Sequence, residues 1–128
     1  MSNYDYLAMM ERRENIIVKK SERFADRIVK MCKYLGKKKS GDSDALKQVY
    51  RSGTSVGANV AEGQYAQSRA DFLTKMTIAL KEANETHFWI GRLYAGGILS
   101  EIEYDSINND NEEIIKLLTS ITKTVKTT

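Results

Sequence analysis

The 128-residue chain has one histidine, His87, and one cysteine, Cys32, and these set the first limit on its chemistry. A di-iron centre in a helical bundle needs a Glu from each of two helices and a Glu-x-x-His from each of the other two. With one histidine, and Asn84 three residues before it, half of that ligand set is missing. His87 therefore reads as a surface or helix-packing residue in preference to a ligand or base. Cys32 falls beside the inward stripe of its helix and reads as a small core residue in preference to a nucleophile. Glu82 and Glu85 could form a functional carboxylate cluster. With Lys75, Lys81, Arg51 and Glu62 at helical spacing around them, a salt-bridged network between helices is the simpler reading. The glycine-containing run Arg51–Gly63 lacks the Gly-Lys-Ser/Thr ending of a phosphate-cradling loop. We expect no catalytic residue, no metal, no cofactor and no enzyme activity.

The chemistry that is left is electrostatic. Residues 1–64 hold 13 Lys/Arg against 8 Asp/Glu, whereas residues 65–128 hold 7 against 9. The basic half runs through Lys19, Lys20, Arg23, Arg27, Lys30 and Lys33 and peaks at Lys37, Lys38 and Lys39. Such a stripe can neutralise phosphates. A solvated helix face followed by a charged loop is the plainer alternative, and residue count alone favours it. Seven tyrosines could stack on bases, although scattered tyrosines also pack at bundle edges. Trp89 reads as core or interface.

Four helices must position these residues. Proline is absent, and Ala, Leu, Ile, Lys and Glu recur at helical spacing. In the first helix Ile17, Ser21, Phe24, Ile28, Met31 and Leu35 line one face, with Asn15 as an expected N-cap and Gly36 as the stop. Lys37–Asp42 reads as a polar loop. The second helix should begin near Ser43 and end between Gly63 and Gln67, with Leu46, Val49, Gly53, Val56 and Val60 facing inward. Ser68 and Asp71 form a capping-box-like start for the third, whose stripe runs Phe72, Met76, Ala79, Ala83, Thr86, Ile90 and Leu93 up to Gly96-Gly97. Ser100 and Glu103 open the fourth, with Ile107, Ile114, Leu118, Ile121 and Val125 inward and Asn111 among them. Short connections favour antiparallel neighbours, hence an all-α, antiparallel up-down-up-down four-helix bundle. We expect residues 1–128 to form one domain, with 1–14 an N-terminal arm or short helical extension and 123–128 a frayed tail. No stretch approaches about 18 consecutive apolar residues, so no membrane span is expected. The lone cysteine and the mixed-charge N-terminus point to the cytoplasm.

The second helix is the most informative segment. Glycine costs about 1 kcal/mol against alanine inside a helix, yet Gly53 and Gly57 both sit there. With Ala61 they are spaced by four and form a smooth strip. Close packing against the third helix, through Ala79 and Ala83, is the expected compensation, and self-association is a second use of the strip. Arg51, Ser55, Asn59 and Glu62 recur beside it, and a hydrogen-bonded network toward Glu82 and Glu85 is expected.

Three runs carry a resemblance. Ile17–Ala25, Arg51–Glu62 (RSGTSVGANVAE) and Asp71–Thr86 resemble the bacterial four-helix-bundle family named for proteins encoded within intervening sequences of the large-subunit ribosomal RNA gene. The likeness covers about residues 15–122, and Gly53 is a minor departure from the pattern. It implies an antiparallel four-helix bundle that assembles into a homo-oligomeric ring, typically a pentamer. Distant relatives include the retroelement accessory variability determinant, which partners a reverse transcriptase and binds nucleic acid through a basic surface. Positions matching the family are Arg51, Ser52, Ser55, Gly57, Asn59, Glu62, Glu82, Glu85 and Thr86, which look like packing and assembly residues. The expected function is a non-enzymatic oligomeric scaffold associated with RNA or DNA. The rival expectation is a protein-binding adaptor with no nucleic-acid contact.

Overall fold

The structure, a computed structural model, describes residues 3–38 and 43–127. These form α1 (Asn3–Gly36), α2 (Ser43–Gly63), α3 (Arg69–Ala95) and α4 (Glu101–Thr127). Each helix packs on its chain neighbours and α1 closes the circuit against α4, while the diagonal pairs stay apart among the described residues. The result is the expected antiparallel four-helix bundle.

Capping chemistry fixes the helix ends. The Ser68 hydroxyl accepts the Asp71 N–H at 3.0 Å. Asp71, one methylene shorter than Glu, accepts from the Gln67 N–H at 3.2 Å, one residue before the cap. At α4 the exchange is reciprocal: Ser100 Oγ accepts the Glu103 N–H at 3.2 Å and Glu103 Oε1 accepts the Ser100 N–H at 2.9 Å. That backbone hydrogen bond holds the Glu103 carboxyl below its ordinary pKa. At the end of α3, Gly97 takes φ +76°, where a β-carbon is disfavoured. Its N–H donates to Tyr94 O at 3.0 Å, and the Ile98 N–H donates to Leu93 O at 2.9 Å, closing a Schellman motif.

The four stripes meet in one core. Ile17, Phe24, Ile28 and Leu35 face Val49, Val56 and Val60, then Met76, Ala79, Ala83, Ile90 and Leu93, then Ile107, Ile114, Leu118 and Ile121, all buried. Asn111 lies among them at 0% exposure. Its amide donates to Ala83 O at 2.9 Å, and its own carbonyl oxygen has no partner among the described residues.

Three local expectations change. Asn15 does not start α1, because the helix already runs from Asn3; residues 3–14 contain no breaker and continue it. The segment from Lys123 onward is helical to Thr127. The glycine strip faces α1, not α3. A β-carbon at Gly53 would sit 2.8 Å from Ile28 Cγ1. One at Gly57 would sit 3.1 Å from the Ser21 carbonyl oxygen and 3.3 Å from Ala25 Cβ. Glycine thus lets the backbones of α1 and α2 close together, while Ala79 and Ala83 serve the central core. Ala61 is exposed at the rim of the α1–α2 groove.

Candidate nucleic-acid interface

Spacing along α1 places Lys19, Arg23, Lys30 and Lys33 on its outer face, and all four are exposed. Glu22 and Asp26 interrupt the row. Lys37 continues it beyond the helix end and is exposed as well. The ridge is narrower than the sequence suggests, because α4 neutralises its inner members. Lys20 Nζ pairs with Glu113 at 2.8 Å. Arg27 pairs with Asp110 at 2.5 Å and donates to Ser106 Oγ at 2.9 Å. Lys38 Nζ lies 4.4 Å from the centroid of the Tyr34 ring, a cation–π contact. Lys39 lies outside the described residues. The signal for Lys38 was present in the sequence, since Tyr34 stands four positions before it.

At the end of this ridge a cleft of about 410 Å³ opens between α1 and the start of α4. Buried Leu99 and Ile107 and half-buried Met31 line it together with the exposed Tyr34 and Ile102, and its polar lining is Arg27, Lys30, Glu103 and Ser106. Tyr34 is 54% and Ile102 83% exposed. Sequence reasoning missed this cleft, because it depends on the alignment of α1 with α4.

The packing residues divide between two seams. Arg51 Nη1 reaches Glu82 at 3.1 Å and its Nη2 pairs with Glu85. Lys75 Nζ meets Glu62 at 2.8 Å, and this hydrogen bond raises the pKa of Lys75 above its ordinary 10.5. Inside them the buried hydroxyls of Ser52 and Thr86 share a hydrogen bond at 2.9 Å. Ser55 and Asn59 do not cross to α3. The Ser55 hydroxyl donates to Arg51 O at 2.6 Å and the Asn59 amide to Ser55 O at 2.8 Å, within α2. Short polar side chains in a helix bond their own preceding turn more readily than they span to a neighbour.

The remaining candidates make local contacts. His87 Nδ1 is 2.9 Å from Asn108 Oδ1, and the Asn108 amide donates to Glu112 at 3.2 Å. The half-buried Cys32 thiol points toward Leu46 O at 3.7 Å, and burial pushes its pKa up to about 11. A thiol so protonated is a poor nucleophile at neutral pH. No described helix is long and apolar enough to cross a membrane.

Comparison with curated proteins returns no match. Among solved structures the chain is similar to a protein of unknown function from the S23 ribosomal protein family of Bacteroides thetaiotaomicron. The two share 49% identity at a TM-score of 0.83, over 87% of this chain and 98% of that one. Residues 13–120 match the family described as 23S rRNA-intervening sequence protein. With its four-helix fold, its α2 signature and this match over most of its length, the chain belongs to the 23S rRNA-intervening sequence protein family.

Proposed function

We propose that the chain is a non-enzymatic, cytoplasmic helical scaffold that assembles with copies of itself and associates with nucleic acid along the outer ridge of α1. One observation carries this reading: Lys19, Arg23, Lys30 and Lys33 stand exposed in one row with no carboxylate partner among the described residues. Such a row matches a phosphate backbone, and assembly would repeat it and multiply weak contacts into useful avidity.

Binding of RNA and DNA oligonucleotides measured against salt tests the interface. Affinity should fall steeply as salt rises, and Lys30→Glu with Lys33→Glu should abolish it while leaving the helical signal intact. Absence of binding at low salt, or a flat salt dependence, refutes the reading. Light scattering tests assembly, and a monomer mass at micromolar concentration refutes it.

A protein-adaptor role draws on a different observation, the exposed Tyr65 and Phe88 (87% and 53%) on elements other than α1. A single protein partner retained after nuclease treatment would favour it.

A further inference from the structure

The cleft at the end of the α1 ridge has the makings of a base-binding site. Its volume of about 410 Å³ lies within the ~300–1,000 Å³ span of small-molecule sites. An aromatic ring, Tyr34, and a branched aliphatic chain, Ile102, border it, and both remain exposed in the folded chain. Large apolar side chains left open beside a row of cations that have no carboxylate partner among the described residues suit a ligand that is flat and apolar on one part and anionic on another. A nucleotide of a single strand is such a ligand: its base stacks on aromatic faces while its phosphate meets lysine.

Charge across the cleft sets the orientation. The α1 rim carries Lys30, and Lys38 covers one face of the Tyr34 ring, which leaves the opposite face for a base; Lys37 follows in sequence and is exposed. The α4 rim carries Glu103, whose Oε1 already accepts the Ser100 N–H. A phosphate is drawn to the first rim and repelled by the second. The base must then point across the cleft toward Ile102, with Glu103 and Ser106 at its polar edge. In a duplex the base is paired and stacked and cannot enter. We infer that the Tyr34–Ile102 cleft binds an unpaired base of single-stranded nucleic acid whose phosphates run along α1. This rests on the nucleic-acid reading above and adds to it a strand preference and a specific contact.

The test uses fluorescence anisotropy with a labelled twelve-nucleotide RNA, the same strand in a duplex, and the DNA equivalents. Wild type should prefer the single strand. Tyr34→Ala should weaken single-strand binding roughly tenfold, as expected for loss of one stacked base, without changing the salt slope. Tyr34→Trp should retain binding, and Ile102→Glu, at a highly exposed position, should weaken it. Lys30→Gln with Lys37→Gln should instead reduce the salt slope by about two, one per phosphate contact. Equal affinity for single strand and duplex overturns the inference. Unchanged single-strand affinity in both Tyr34→Ala and Ile102→Glu overturns it too, while leaving the ridge reading in place if the lysine variants still bind weakly. No binding by wild type at low salt removes both.

Discussion

The two flanks of α2 hold the helix by different physics. Toward α1 it presents Gly53 and Gly57, and the contact is one of shape: a main-chain carbonyl, that of Ser21, occupies the space a β-carbon at Gly57 would crowd at 3.1 Å. Toward α3 it presents Arg51, Ser52 and Glu62, and over this stretch the contact is one of partners: a buried hydroxyl pair capped by ion pairs. A close shape contact on this side comes only at the last residue, Gly63, against Met76. A shape contact fails when atoms are added, since backbone cannot rotate away as a side chain can. A partner contact fails when atoms are removed, since a buried polar group is then left unsatisfied.

Adding bulk to the first flank should do the most damage. Gly57→Leu should cost about 3 kcal/mol in chemical denaturation, whereas Ala61→Leu, in the same four-residue series but exposed, should stay within about 0.5 kcal/mol. Equal tolerance at the two positions would dissolve the distinction between the flanks. On the second flank, Thr86→Val should cost about 1 kcal/mol by removing the hydrogen bond that Ser52 Oγ accepts, while Ser52 keeps its own donation to Val49 O. A loss exceeding that of Gly57→Leu would reverse the ranking.

The smallest effect is pH-dependent and belongs to the α3 flank alone. The folded pKa of Lys75 lies above 10.5 because of its hydrogen bond to Glu62. The stability it contributes is therefore fully present below pH 10.5 and is lost as pH rises through the folded value. The difference in melting temperature between wild type and Lys75→Met should accordingly be small at pH 8 and vanish on going to strongly alkaline solution. A difference that persists there would mean that the lysine acts through something other than its charge.

Much of this was legible in the sequence. Ser68, Ser100 and Gly96-Gly97 marked helix ends because caps depend on local backbone chemistry alone. The inward stripes, Asn111 included, were readable because period and face are properties of one helix. Which neighbour the glycines meet was not readable. In a square bundle α2 has two neighbours, and the hand of the bundle decides which of them lies on the Gly53–Gly57 side of the stripe. Spacing within one helix carries no record of that hand. The same blindness hid the pairing of Lys20 with Glu113 and of Arg27 with Asp110, and with it the true width of the basic ridge. Those pairs depend on how far α4 is slid along α1. Asn15 misled for another reason: its residue type suits a cap, but nothing upstream interrupts the helix.

Asn111 makes the alignment of α4 on α3 a matter of discrete steps. Its amide reaches the main chain at Ala83, where the facing side chain is a single methyl group. One heptad away in either direction along α3 stand Met76 and Ile90, both fully buried. A bundle slipped by seven residues would press the carboxamide into one of these larger chains and strand its N–H groups in hydrocarbon. The aliphatic positions alone would tolerate such a slip more readily, and one amide in their midst disfavours it.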